Sequence, residues 1–118
     1  MKHYVVEHWS YKSAWLELEE TRRQEFIANI GEVTGELSRQ GIRTLGFGEV
    51  DKGLDQAHKG FDFWSIWEMD TLQARDAFLK AVAESGWYQY FEHANTGGVI
   101  DEPAKVLASH IKAKPAEN

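Results

Sequence analysis

Residues Phe61 to Asn95 read FDFWSIWEMDTLQARDAFLKAVAESGWYQYFEHAN. The stretch opens with period-2 alternation, which predicts a strand over Phe61–Met69: Phe63, Ser65 and Trp67 share one face, Trp64, Ile66 and Glu68 the other. Asp70 stands where a helix N-cap is expected, with Gln73 at the reciprocal position of a capping box. Leu72, Phe78, Leu79 and Val82 supply the apolar side of the helix that follows. Ser85-Gly86 breaks it. Trp87, Tyr88, Tyr90 and Phe91 then make a short aromatic turn, which carries on into Glu92, His93 and Asn95 and ends by Gly98.

Upstream, Lys2–Ser10 reads as a strand with Tyr4, Val6 and His8 on one face and Val5, Glu7 and Trp9 on the other. Neither face is polar throughout, so both are expected to be covered. Tyr11 to Glu20 is expected to be a loop with one helical turn. Thr21 and Gln24 form a capping-box pattern before a helix that runs to about Gln40, with Phe26, Ile30, Val33 and Leu37 as its stripe. Gly31 and Gly35 interrupt that helix, and close packing against another element is the expected reason. Gly41 ends it. Ile42–Val50 is a second strand whose Gly46 and Gly48 predict either a bulky group lying over them or a bulge. By strict alternation Phe47 sides with Arg43, Leu45 and Glu49. Asp51–Gly60 is a polar hairpin loop, and His58 in it is expected to be exposed. Downstream, Val99-Ile100 reads as a short last strand. Asp101 and Pro103 then open a C-terminal helix over 103–113, with Val106, Leu107 and Ile111 as its apolar side.

The order strand, helix, strand, strand, helix, strand is the split βαβ, ferredoxin-like pattern of an α+β fold, here with an extra C-terminal helix. Right-handed crossovers place both main helices on one face of an antiparallel sheet. The second face, apolar in part, predicts a symmetric homodimer, sheet against sheet, in a dimeric α+β barrel. The length of 118 residues fits a single domain, 1–118. A net charge of -6 argues against a nucleic-acid partner. With no cysteine there are no disulfides, thiolate metal sites or cysteine nucleophile. The N-terminus lacks a signal-like apolar segment, and no apolar run reaches membrane-spanning length, so a cytoplasmic protein without membrane contact is expected.

The aromatic strand with Trp67-Glu68-Met69-Asp70, the apolar helix, and Ser85-Gly86-Trp87-Tyr88 with Phe91 resemble the dimeric α+β barrel superfamily, over about residues 2 to 100. That group includes antibiotic-biosynthesis-type monooxygenases, haem-degrading monooxygenases and stress-responsive barrel proteins. HYVVEHW, LGFGEV and SGWYQYFEHAN resemble a bacterial domain family of no assigned function. The resemblance implies a pocket between sheet and helices, with Trp67 at the tryptophan position of the haem-degrading members and His93 near their axial histidine. His8 departs from the asparagine that those members carry on the first strand. By the cofactor-free members, it implies a monooxygenase acting on an aromatic or polyketide-like molecule without a cofactor. There His8 or His93 would be the catalytic base. Trp67, Tyr90 and Phe47 would hold the substrate, and Asn95 would donate to an oxyanion. The alternatives are a non-catalytic carrier of an apolar ligand such as a fatty acid, and a haem-binding protein. On the residues alone, a hydrogen-bonded core position is the ordinary reading of His8, and a helix-end role that of His93. A metal site is not expected, because Glu92 and His93 as helical neighbours would diverge.

Overall fold

The computed structural model describes residues 1–116. Its elements are β1 (His3–Tyr11), α1 (Ser13–Leu16), α2 (Glu20–Arg39), β2 (Arg43–Glu49), β3 (Phe63–Met69), α3 (Leu72–Glu84), α4 (Trp87–Tyr90), β4 (Phe91–Val99) and α5 (Pro103–Ala108). The strands form one antiparallel sheet in the order β2-β3-β1-β4. This is the ferredoxin-like α+β arrangement read from the order of elements.

Alternation sorts the two faces of the sheet. Val5, Glu7 and Trp9 of β1, with Ser65, Trp67 and Met69 of β3, are buried beneath the helices. Two clusters fill this layer. One joins Val5, Leu37, Ile42, Trp67, Met69 and Phe78. The other is aromatic and joins Trp9, Trp15, Trp87 and Phe91. On the opposite face Tyr4, Val6, His8 and Ile66 are half-buried and Trp64 is 37% exposed.

Several local expectations are corrected. Helix α2 starts at Glu20 after an extended Glu19, so Thr21 is not its cap. Helix α3 is capped by Thr71, whose hydroxyl accepts the Ala74 N–H at 3.0 Å, in place of Asp70. Glu102, not Asp101, is the cap residue before Pro103. Helix α5 ends at Ala108, short of 113, and Val106, Leu107 and Ile111 are exposed. A Cβ at Gly31 or Gly35 would meet nothing within 4 Å, so close packing does not account for either glycine, and nothing else in the structure explains them.

The largest correction concerns the last strand. It is Phe91–Val99, nine residues long, and pairs along the whole of β1 from His3↔Val99 to Tyr11↔Phe91. Gly86, at φ 88°, turns the chain out of α3, and the single turn of α4 delivers it straight to the sheet edge. Glycine is needed at 97 because a Cβ there would overlap the Tyr4 carbonyl. His93 is therefore a strand residue, and its neighbours Glu92 and Ala94 point the other way.

Candidate active site

The site lies where β1, β3 and the two long helices meet. Glu7, Trp67 and Phe47 line a small cavity from the sheet, Ile30, Val33 and Leu37 from α2, and Phe78, Val82 and Ser85 from α3 and its end. Its volume is about 50 Å³. A wider hollow of about 350 Å³ lies beside it, walled by Trp9, Trp15, Phe63 and Phe91, and the two share Ile30, Phe47 and Trp87 as walls.

Phe47 reaches this side through a bulge. The β2–β3 register shifts between Thr44 and Gly46, so Thr44 lies opposite Trp67 and Phe47 opposite Ser65, both on the helix side. Strict alternation would have put residues 44 and 47 on opposite faces. The Thr44 hydroxyl pins the bulge, donating to the Ile66 carbonyl at 3.2 Å and accepting the Gly46 N–H at 3.1 Å. Both readings of the strand glycines hold, because the Trp64 indole lies over Gly48 on the outer face.

The polar centre is Glu7, whose side chain is 8% exposed. Its Oε1 accepts the Ser65 hydroxyl at 2.9 Å and the Trp67 indole N–H at 2.7 Å. The same N–H also reaches Ser65 Oγ at 3.1 Å. Among the described residues Oε2 has only His93 Nε2 at 3.5 Å. Burial pushes the Glu7 carboxyl above its ordinary value, against the opposing pull of Ser65, His93 and Trp67. Burying a carboxylate costs several kcal/mol unless charge or hydrogen bonds compensate, and here two neutral donors serve one oxygen.

Behind Glu7 stands His93, 4% exposed. Its Nδ1 accepts the Trp87 indole N–H at 3.0 Å and its Nε2 lies 2.7 Å from Asn95 Oδ1. Tyr88 covers the ring edge-on, centroids 5.2 Å apart. Burial, then the Glu7 charge, raises the Tyr88 hydroxyl, and a hydrogen bond with Asn95 opposes them. Because both nitrogens of His93 are engaged and the ring is enclosed, the residues as placed do not fit a haem ligated through it. Among the described residues, no group of three or more His, Cys, Asp or Glu is placed to hold a metal ion.

Residues 2–113 match the model of a family of unknown function, DUF6616. The chain belongs to the DUF6616 family. No curated protein matches it. Among solved structures, this DUF6616 chain is similar to a mutant chlorite dismutase from Candidatus Nitrospira defluvii at 17% identity and a TM-score of 0.68, covering 91% of this chain. It spans only 43% of that enzyme's chain. It is also similar to a dimeric ferredoxin-like protein of unknown function from Thermobifida fusca (12% identity, TM-score 0.53, covering 85% and 92% of the two chains). A third is a hydroxynitrile lyase from Passiflora edulis (16%, 0.51, covering 86% and 96%). At such identities the likeness shows the fold alone.

The DUF6616 structure brings Trp67 and Phe47 to the cavity and His93 to its rear, but not His8. In the β1–β3 register His8 lies opposite Trp64, while Trp67 lies opposite Val5. His8 is thus on the outer face, against His58 and Phe61 at 5.0 and 6.0 Å between centroids. Burial, then the charges of His58 and His93, lowers its pKa. His58 is exposed. Tyr90 lines neither hollow, packing instead against Phe26 and Trp15. Asn95 is exposed at the end of the His93 network and spends its carbonyl there. Glu7, Ser65 and Trp87 are the participants that the sequence reading left out. For Glu7 the signal was its place between Val5 and Trp9, a carboxylate on the buried stripe.

Proposed function

We propose that this protein binds a planar aromatic molecule carrying a weakly acidic hydroxyl, and that Glu7 takes its proton. The observation that carries the reading is a buried carboxyl, Glu7, that lines a mostly apolar cavity and whose Oε2 has no partner nearer than 3.5 Å among the described residues. A general base works best when its pKa lies near the working pH, and burial moves Glu7 in that direction. The inner cavity has room for little more than one water's share of volume, about 30 Å³, so it suits the acidic end of the ligand. The outer hollow falls in the size range of small-molecule sites and suits the ring system.

The reaction class this favours is the cofactor-independent monooxygenation to which the sequence resemblance points. The hydroxyl proton passes to Glu7 Oε2 and leaves an electron-rich anion. Dioxygen then oxidises a ring methylene to a carbonyl, one oxygen atom staying on carbon and the other leaving as water with the two methylene hydrogens, and Glu7 returns its proton to the product's hydroxyl oxygen. The fold alone does not select this chemistry, since its neighbours include proteins named chlorite dismutase and hydroxynitrile lyase. A carrier is the second reading, favoured by the outer hollow, whose walls include no carboxylate or imidazole.

Titration of 2-naphthol, as a binding probe, and of 1,8-dihydroxyanthrone, which carries both the hydroxyl and the methylene, against tryptophan fluorescence, with oxygen uptake followed for the latter, tests the proposal. Binding with uptake that is lost in Glu7→Gln is expected. Binding without uptake makes the protein a carrier, and no binding of either probe removes the aromatic-ligand reading.

The outer face supports a homodimer. Tyr4, Val6, Trp64 and Ile66 would meet a second copy there, and the exposed apolar side of α5 gives it further surface. Sedimentation should show a dimer at micromolar concentration. A stable monomer would remove this part of the reading.

A further inference from the structure

We propose that Asn95 is a positioning residue which, through a single locked tautomer of His93, keeps Glu7 Oε2 open to accept a proton. The proposal rests on the reading of Glu7 as the base. Its geometry begins with Trp87. An indole N–H can only donate, so the His93 Nδ1 that receives it at 3.0 Å carries no proton. A neutral imidazole in that setting holds its proton on Nε2. Two acceptors compete for it, Asn95 Oδ1 at 2.7 Å and Glu7 Oε2 at 3.5 Å. The shorter contact takes the proton, and this also fixes which end of the Asn95 amide faces the ring, a choice that otherwise has to be assigned.

The consequence reaches from the surface to the interior. Residue 95 sits where β4 leaves the buried layer, yet it decides where the His93 proton points. While that proton is held by Asn95, Oε2 keeps its lone pairs for a ligand. A carboxylate at 95 would instead draw a second proton onto His93, break the Trp87 bond and set a cation 3.5 Å from Glu7. The titratable groups that face Glu7 are His93 on β4 and Tyr88 on α4. Toward the cavity α2 and α3 present Thr34, Phe78 and the terminal Ser85, and β2 presents Phe47, none of which ionises at ordinary pH.

The test is nuclear magnetic resonance on the full chain without ligand, comparing wild type with Asn95→Asp and Asn95→Ala and using Glu7→Gln to assign the Glu7 carboxyl. Expected in the wild type is a His93 ring with Nε2 protonated and Nδ1 bare. The Glu7 midpoint should fall in Asn95→Asp by less than the roughly one to three pH units that a cationic neighbour alone brings, because the new carboxylate lies opposite Glu7 in the β1–β4 register and opposes the imidazolium. It should also fall in Asn95→Ala, where the freed Nε2–H turns to Oε2. A wild-type ring protonated on Nδ1, or a Glu7 midpoint unmoved in both variants, overturns the proposal. If these shifts appear but Glu7→Gln still binds and turns over the aromatic probes, the base reading fails while the coupling of Asn95 to Glu7 stands.

Discussion

The same sheet carries two glutamates on opposite faces, and they are treated in opposite ways. Glu68 of β3 faces outward. Its carboxylate accepts Arg43 Nη2 at 2.6 Å, the Tyr4 hydroxyl at 2.9 Å and Lys2 Nζ at 3.1 Å, and these partners, Arg43 first, hold its pKa down to about 2. Glu7 of β1 faces the helices. It has neutral donors on one oxygen, nothing shorter than 3.5 Å on the other, and a raised pKa. Cationic partners commit a carboxylate to its charge. Burial with too few donors raises a carboxyl's pKa above its ordinary value, and such groups gather at functional sites more often than elsewhere. Glu68 ties strand ends together, whereas Glu7 is left with one oxygen short of partners under the helices.

The largest effect should come from the tryptophans that accompany the two carboxyls. Trp67→Ala removes a buried ring packed on Phe78 at 4.8 Å between centroids, and with it the shortest donor to Glu7. Urea unfolding should show a loss of about 3–5 kcal/mol. Trp64→Ala, on the outer face, should cost the single chain no more than about 1 kcal/mol but shift the sedimenting species to monomer. Equal losses in chain stability would mean that the two faces are not the different environments described above.

Next in size are the pH profiles, which run in opposite directions. Glu7 is raised in the folded chain, so it binds its proton more tightly there than when unfolded. Its contribution to stability is full below the ordinary value of 4.5 and is lost as pH rises through the raised folded value. Relative to wild type, Glu7→Gln should therefore gain stability as pH rises from about 4.5 toward neutrality. Glu68 is lowered, so its contribution is present above 4.5 and lost as pH falls toward about 2. Glu68→Gln should flatten the acid limb alone, and added salt should shrink that difference because the cluster is open to solvent. Thermal midpoints across pH for the two variants check both signs.

The contrast between the faces was half legible in the sequence. Alternation along β1 and β3 sorts Val5, Glu7 and Trp9 from Tyr4, Val6 and His8, and Trp67 from Trp64, because side-chain period 2 is a property of extended backbone. It also marks His8 as sharing no face with Glu7, but whether His8 or Glu7 meets Trp67 depends on register, which comes from pairing across the whole sheet. Strict alternation sets Phe47, expected as a substrate contact, with Arg43, Leu45 and Glu49, and it is the bulge at Thr44–Gly46 that turns it to the cavity. WYQYFEHAN is aromatic and polar with no strand-like run, so the local pattern sets His93 on a helical turn. Only the pairing of β4 with β1 makes it a strand residue, and that same pairing sets it behind Glu7. Tertiary contacts decided these cases, and local propensity had no access to them.

The smallest effect probes the cover above Glu7 without touching either carboxyl. Gly31 and Gly35 lie inside α2, the helix that supplies Ile30, Val33 and Leu37 to the cavity. Glycine in a helix interior costs roughly 0.5–1 kcal/mol relative to alanine, through the entropy of the unfolded chain. A methyl group at either position would enter open space, so no clash offsets the gain. Gly31→Ala and Gly35→Ala should each raise stability by up to about 1 kcal/mol. They should leave the pH profiles of Glu7 and Glu68 where they were. Stability that rises while affinity for the aromatic probes falls would show that α2 must yield to admit a ligand, and would tie the two glycines to the buried face. Stability that falls would mean that α2 packs against something, a second copy included, on the side that is open in the single chain.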